Sequence, residues 1–206
     1  IKHYVKANKL HQPILRCATL NDAYDIYQLS KQTQSGLTNI PKTLKKTNEL
    51  LLKHEHSINQ KSTKNNQIFL FVLVDQSNTV IGLSGIKSRT GLNRPFYAYY
   101  YHKNTQIPYL ELTKRTLGPT EIGSLFLSPN YRSKQLGRLL SLSRFLFIKS
   151  HPQHFTKTII TELRGYFFKN NVCPVWSGLG KKFINLPFNQ ADEISVNNES
   201  FIENNF

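Results

Sequence analysis

Residues Ile68–Val74 read IFLFVLV, an unbroken apolar run, and no other stretch restricts the fold as strongly. The run is far short of the ~20 residues that a membrane-spanning helix needs. Its β-branched and aromatic residues mark a strand buried on both faces. Asp75–Asn78 supplies a turn. Thr79–Lys87 (TVIGLSGIK) then reads as the returning arm of a hairpin, with Gly82 and Gly85 marking bulges or close backbone approach. A strand buried on both faces needs a layer above it and a layer below it. The rest of the chain supplies those layers.

Before the hairpin, Ile14–Ala18 reads as a short strand. Thr19 or Asn21 caps a helix through about Thr33, with Ala23, Ile26 and Leu29 on one face. Ser35–Pro41 is a loop, Thr43–Asn59 a second helix, and Lys61–Gln67 a polar break. After the hairpin come an aromatic strand, Phe96–His102, and short strands at Tyr109–Thr113 and Glu121–Leu127. The aromatic strand is expected to form cross-strand pairs rather than a base-stacking platform. A loop Ser128–Gln135 leads to a helix from about Leu136 to Lys149, a strand Thr158–Leu163 and a short helix Pro174–Phe183 opened by proline. The fold class is therefore α/β with a late β-α-β unit. Residues 1–13 read as a basic arm, 14–190 as the domain, and 191–206 as an acidic, Asn-rich tail.

Hydrophobic residues make up 39% of the chain and aromatics 12%, enough for a packed core and too much for wholesale disorder. The net charge is +15, from 27 Lys and Arg against 12 Asp and Glu. It is concentrated between Pro129 and Lys182, where ten basic residues face Glu162 alone. Such a segment fits a polyanion: a phosphate-rich cofactor, nucleic acid or an acidic surface. Biased composition explains the same charge with no partner at all. Two cysteines, Cys17 and Cys173, make no disulfide framework and fit a reducing, cytoplasmic setting. IKHYVKANKL at the start has no apolar core of a signal peptide and no initiating Met, so a fragment or processed chain is expected.

Ser124–Ile148 (SLFLSPNYRSKQLGRLLSLSRFLFI) carries the chemistry. A strand ends at Ser128 and Pro129, a basic loop follows, and a helix begins near Leu136. A helix N-terminus offers unpaired N–H groups and a partial positive charge. Loop N–H groups add a nest for phosphate oxygens. Arg132, Lys134 and Arg138 add full charge, so the stretch reads as a pyrophosphate cradle.

Tyr131–Leu139 (YRSKQLGRL) resembles the acyl-CoA loop of the GNAT N-acyltransferase superfamily. Arg132 and Gly137 match the ends of its signature, and Gln135 stands where its first glycine is usual. From about Leu15 to Phe201 the chain resembles the arginine N-succinyltransferase family. The matching blocks are SGLTNIP, FVLVD with VIGLSGI, GLNRPFYAY, EIGSLFLSPNYR, GRLLSLSRFLF, ITELRG and PVWSGLGKKFINLPFNQAD, in the family's order. The resemblance implies a GNAT-like mixed, mostly antiparallel sheet flanked by helices. It implies transfer of succinyl from succinyl-CoA, a co-substrate rather than a tightly bound cofactor, to the α-amino group of L-arginine. The implied CoA contacts are Leu127, Arg132, Ser133, Lys134, Gln135, Leu136, Gly137 and Arg138. Leu125 matches the family's substrate-contact leucine. The family's proton-donor histidine lies beyond Phe206, so no catalytic residue is assigned. The family's multi-subunit forms leave homo- and hetero-oligomers open.

Glu121 and Glu162 match acids in these blocks and fall on expected strands. Either could hold the guanidinium of an arginine substrate. Either could instead be a structural partner of Arg144 or Arg164. Loop Ser35–Pro41 is read as a substrate-side lid or a plain connector. His151 and His154 are expected as surface histidines, and no metal site is expected. Trp176 is read as packing for the last helix against the sheet, and both cysteines as inert. Two other functions stay open: a non-catalytic CoA-binding remnant or subunit, and a basic nucleic-acid-binding protein, which ranks last.

Overall fold

The computed structural model describes residues 12–33, 39–60, 67–92, 95–132, 135–163, 165–170, 172–198 and 200–205. The arm, most of the loop Ser35–Pro41, and the expected CoA contacts Ser133 and Lys134 lie outside the described residues.

The expected mixed, mostly antiparallel sheet flanked by helices is present. Strands β1 (Ile14–Cys17), β2 (Ile68–Val74) and β3 (Val80–Lys87) pair antiparallel with one another in order. Next in the sheet comes β6 (Thr120–Leu127), antiparallel to β3, and then β7 (Ile159–Ile160), parallel to β6. Every residue of β2 from Phe69 onward is buried, as its unbroken apolar run requires.

Helices α1 (Ala23–Lys31) and α2 (Leu44–Asn59) cover one face. Thr43 caps α2 by accepting from the Lys46 N–H. Ile26, Leu29 and Leu51 pack there against Leu70, Val72 and Leu83. Helix α3 (Leu136–Ser150) covers the other face. Its Leu140 packs on Leu73, Ile81 and Leu127, and its Phe147 packs on Phe69, Phe71, Ile86 and Ile122. An added Cβ at Gly82 would stand 2.6 Å from Leu140 Cδ1, so glycine there lets α3 lie close on the sheet.

Strands β4 (Phe96–His102) and β5 (Tyr109–Arg115) form a separate two-stranded ribbon, not part of the main sheet. A hydrogen-bonded neck sets it apart: Thr90 N–H donates to Pro119 O, and Gly118 N–H donates to Thr90 O. These bonds let β3 pair directly with β6. The expected cross-strand aromatic pairing appears as His102 stacked on its register partner Tyr109, with ring centroids 4.4 Å apart.

The end of the chain departs from expectation. The strand expected over Thr158–Leu163 contracts to Ile159–Ile160, because Thr161, Glu162 and Leu163 lie exposed outside the sheet. The expected helix Pro174–Phe183 contains a π-helical turn, Trp176–Gly180, running into α4 (Lys181–Phe183). The Asn-rich segment read as a tail holds α5 (Phe188–Asn197) and α6 (Phe201–Asn205). Ile184, Ala191 and Phe201 form a small core there, with Trp176 against it. Trp176 thus packs on this cluster and on Phe188, and its Nε1–H donates to Leu186 O at 2.9 Å. Burying Ala191 and Phe201 turns a polar stretch into two helices, an effect of tertiary packing that no local periodicity announces.

Candidate active site

The centre of the site is an irregularity in β6. Gly123 pairs with Gly85 and Phe126 with Leu83, so Ser124 and Leu125 together face Ser84 alone. This is a β-bulge. Ser124 takes φ = 51°, a left-handed conformation unfavourable for a residue with a Cβ. A Cβ at Gly85 would stand 3.3 Å from Ser124 Cβ and 3.2 Å from Leu70 Cδ2. Glycine at 85 gives the bulge its room.

On the other side of β6, β7 pairs only with Thr120 and Glu121. From Ile122 to Leu127 that edge has no strand partner among the described residues. The bulge therefore lies on an open strand edge that leads through Pro129–Tyr131 to the start of α3. Leu125, expected at the substrate, is 40% exposed there.

At the start of α3, Gln135 takes φ = 58° and makes no side-chain cap. The position wants the glycine usual in the matching signature, and glutamine occupies it at a cost. The first N–H groups of the helix are left for another acceptor. A Cβ at Gly137 would meet only Leu127 Cδ2, at 3.9 Å, so glycine there keeps space open in front of the helix end. Arg138 is exposed. Arg132 is exposed as well, with its Nε–H on Leu127 O at 3.2 Å and its guanidinium over the Phe126 ring. Diphosphate chemistry fits this end of the groove. Two expected contacts differ in kind: Leu127 is buried in the core under α3, and Leu136 packs partly buried against it. Leu127 N–H and C=O belong to a strand paired with Gly82.

Glu121 is buried on the α1/α2 face. Its Oε2 accepts from Lys87 Nζ at 3.0 Å and its Oε1 from Asn39 Nδ2 at 3.4 Å. Its structural partner is thus Lys87, not Arg144. These residues line a small cavity of about 30 Å³ with Gly123 and Ser124. Asn39 belongs to the loop Ser35–Pro41, read from the sequence as a substrate-side lid or a plain connector. Glu162 is not on a strand: it lies exposed beyond β7.

Arg144, on α3, was read from the sequence only as a possible structural partner of an acid, and no site role was expected of it. It is 4% exposed, and burial pushes its guanidinium below the ordinary value. Its Nη1–H donates to Gly123 O at 3.3 Å, directly beside the bulge. The signal available was a lone arginine at a core-facing position of an otherwise apolar helix face.

The histidines lie elsewhere. His54 is buried between α2 and the sheet, its Nδ1 accepting from Leu70 N–H at 3.1 Å and its Nε2 3.1 Å from Ala18 O. His151 and His154 are half-buried rather than on the surface. His151 stacks on Phe147, and His154 Nδ1 is 2.8 Å from Gln67 Oε1. His102 pairs with Glu111 on the ribbon. Among the described residues no helix is long and apolar enough to cross a membrane.

The family description "arginine N-succinyltransferase beta subunit" matches residues 13–205. The chain belongs to the arginine N-succinyltransferase family. It is 33% identical to the arginine N-succinyltransferase of Photorhabdus laumondii, over 92% of this chain and 59% of that protein. It is also 33% identical to arginine N-succinyltransferase subunit beta of Pseudomonas aeruginosa, with the same coverages. The structure of arginine/ornithine succinyltransferase subunit AI from Pseudomonas aeruginosa superposes with a TM-score of 0.78 at 25% identity, over 90% of this chain and 60% of that one. The chain thus spans about three-fifths of the length of these relatives.

Proposed function

We propose that the chain carries the acyl-donor site of an arginine N-succinyltransferase, moving succinyl from succinyl-CoA to the α-amino group of L-arginine in arginine catabolism to glutamate and succinate. The observation that carries this reading is the bulge at Ser124–Leu125. It sits on an open strand edge that leads to an unpaired, positively charged helix end.

The diphosphate of CoA lies on the N-terminus of α3, with Arg132 and Arg138 beside it. The pantetheine runs along the open edge of β6. The thioester carbonyl sits at the bulge, where main-chain N–H groups freed from the ladder receive the oxyanion; one such donor is worth about 10²–10³ in rate. The uncharged amine attacks the carbonyl carbon, the C–S bond breaks, and CoA leaves as the thiol. A general base takes the proton lost by the amine. The amine approaches from the cavity at Asn39, Glu121 and Gly123. Glu121 attracts the guanidinium of the substrate, sharing its carboxylate with Lys87. The relatives named as subunits support an oligomer, and two free cysteines support a cytoplasmic setting.

A second reading, CoA binding without turnover, has one observation in its favour. The imidazoles of His54, His102, His151 and His154 are all engaged away from the bulge. Thiol release from succinyl-CoA, assayed with and without L-arginine, separates the two. Arginine-dependent release supports transfer. Saturable CoA binding without release supports the second reading. Salt-sensitive oligonucleotide binding with no CoA binding removes both.

A further inference from the structure

Among the described residues, Arg144 meets no acid. Its polar contacts there are Ser141 O at 3.3 Å, Ser141 Oγ at 3.0 Å and Gly123 O at 3.3 Å, all neutral. None of the ion pairs among the described residues includes it. These contacts leave N–H donors of the guanidinium unspent. A buried cation without an anion is costly, and chains seldom keep one without use. By contrast, the buried carboxylates Asp22 and Glu121 are matched, by Arg16 and by Lys87.

A second unsatisfied group lies on the same face. Ser84 is fully buried, and its Oγ has no hydrogen-bond partner. Side chains alternate along β3. A Cβ at Gly82 points at Leu140, and Ile86 packs with Phe147, so Ser84 between them also faces α3. Ser84 is the residue opposite the bulge. A guanidinium lacking an anion and a hydroxyl lacking an acceptor thus face the bulge together, from the side opposite Glu121.

We propose that Arg144, with the Ser84 hydroxyl as a second donor, binds the free carboxylate of the succinyl group and makes the site selective for acyl thioesters that end in a carboxylate. The inference rests on the acyl-CoA reading above. With the thioester carbonyl at the bulge, the amine comes from the Glu121 face and the acyl chain turns down toward α3. A carboxylate there takes a charge-assisted pair from the guanidinium. A neutral acyl group of similar size leaves both donors unpaired, the situation in which polar sites discriminate most strongly.

The test compares succinyl-CoA with butyryl-CoA, which has a methyl group in place of the carboxylate, by titration calorimetry on the full chain. The wild type should bind succinyl-CoA about 100-fold more tightly. Arg144→Gln should bring the ratio to within about threefold, with butyryl-CoA affinity little changed. Ser84→Ala, a smaller change on the same face, should lower succinyl-CoA affinity about threefold to tenfold and spare butyryl-CoA. It carries the test if Arg144→Gln does not fold. Equal binding of both thioesters by the wild type overturns the inference while the acyl-CoA reading stands. So does an equal loss for both thioesters in Arg144→Gln, which would show that Arg144 only holds Gly123 O. Failure of the wild type to bind CoA itself overturns the acyl-CoA reading, and this inference with it.

Discussion

Glu121 and Arg144 approach the same stretch of β6 from opposite faces of the sheet, and both are buried. Glu121 is met by Lys87 and Asn39. Among the described residues, Arg144 is met only by neutral oxygens. The ion pair on the α1/α2 face is complete within the chain, so it contributes to the fold whether or not substrate is present. The cation on the α3 face is incomplete, so its cost to the fold is offset only when an anion arrives. Of two charges of similar depth, Glu121 is thus already held by a partner when substrate comes to share it, whereas Arg144 waits for one.

The sharpest way to break this comparison is to remove one charge from each face. Lys87→Met leaves Glu121 buried without its cation and should lower stability by about 2 kcal/mol, discounted because the Lys87 side chain is 38% exposed. Arg144→Met removes a cation that has no anion, and should leave stability within about 1 kcal/mol of wild type or raise it. Urea midpoints at constant m-value read both. A larger loss in Arg144→Met than in Lys87→Met would make the arginine a structural residue and end the distinction.

Gly85→Ala tests the bulge between the two faces. Its Cβ would press on Ser124 and Leu70, so either the bulge flattens or the core shifts. The expected loss is about 1–2 kcal/mol in stability. Arginine-dependent thiol release should fall with it, and wild-type release would show that the bulge is dispensable. Gln135→Gly acts at the far end of the groove. It relieves a left-handed residue and should add about 1 kcal/mol to the urea stability. Its CoA affinity should be equal or better in a titration, since the main chain then meets the diphosphate without a side chain beside it.

The smallest effect is expected from pH. Burial holds the His54 imidazole below its ordinary value of 6.5. The unfolded chain then binds the proton more readily than the folded one. The stabilisation is complete above about 6.5 and is lost as pH falls through that value toward the depressed one. Urea midpoints taken downward from neutral pH should drop over this window. A flat profile would show that His54 titrates alike in both states.

Much of the scaffold was legible from local pattern. The apolar run at Ile68–Val74, the aromatic strand Phe96–His102 and the helix ending at Asn59 all stand where the residues placed them. So does the start of α3 at Leu136, because strand burial, helix caps and glycine signals are written within a few neighbouring residues. The end of the chain was less legible. Thr161 to Leu163 continues the strand composition yet leaves the sheet after Ile160, and the polar segment after Asn185 folds around Ala191 and Phe201.

The chain's residues by themselves determined the strand–loop–helix that offers a cradle for phosphate, and the apolar hairpin behind it. Tertiary structure alone decided that the bulge falls at Ser124–Leu125, that Glu121 pairs with Lys87 and that, among the described residues, Arg144 meets no acid. Each of these depends on side chains brought together by strand register and helix docking from distant positions. Charge compensation in a buried site is set by those distances in space, and spacing along the chain does not encode them.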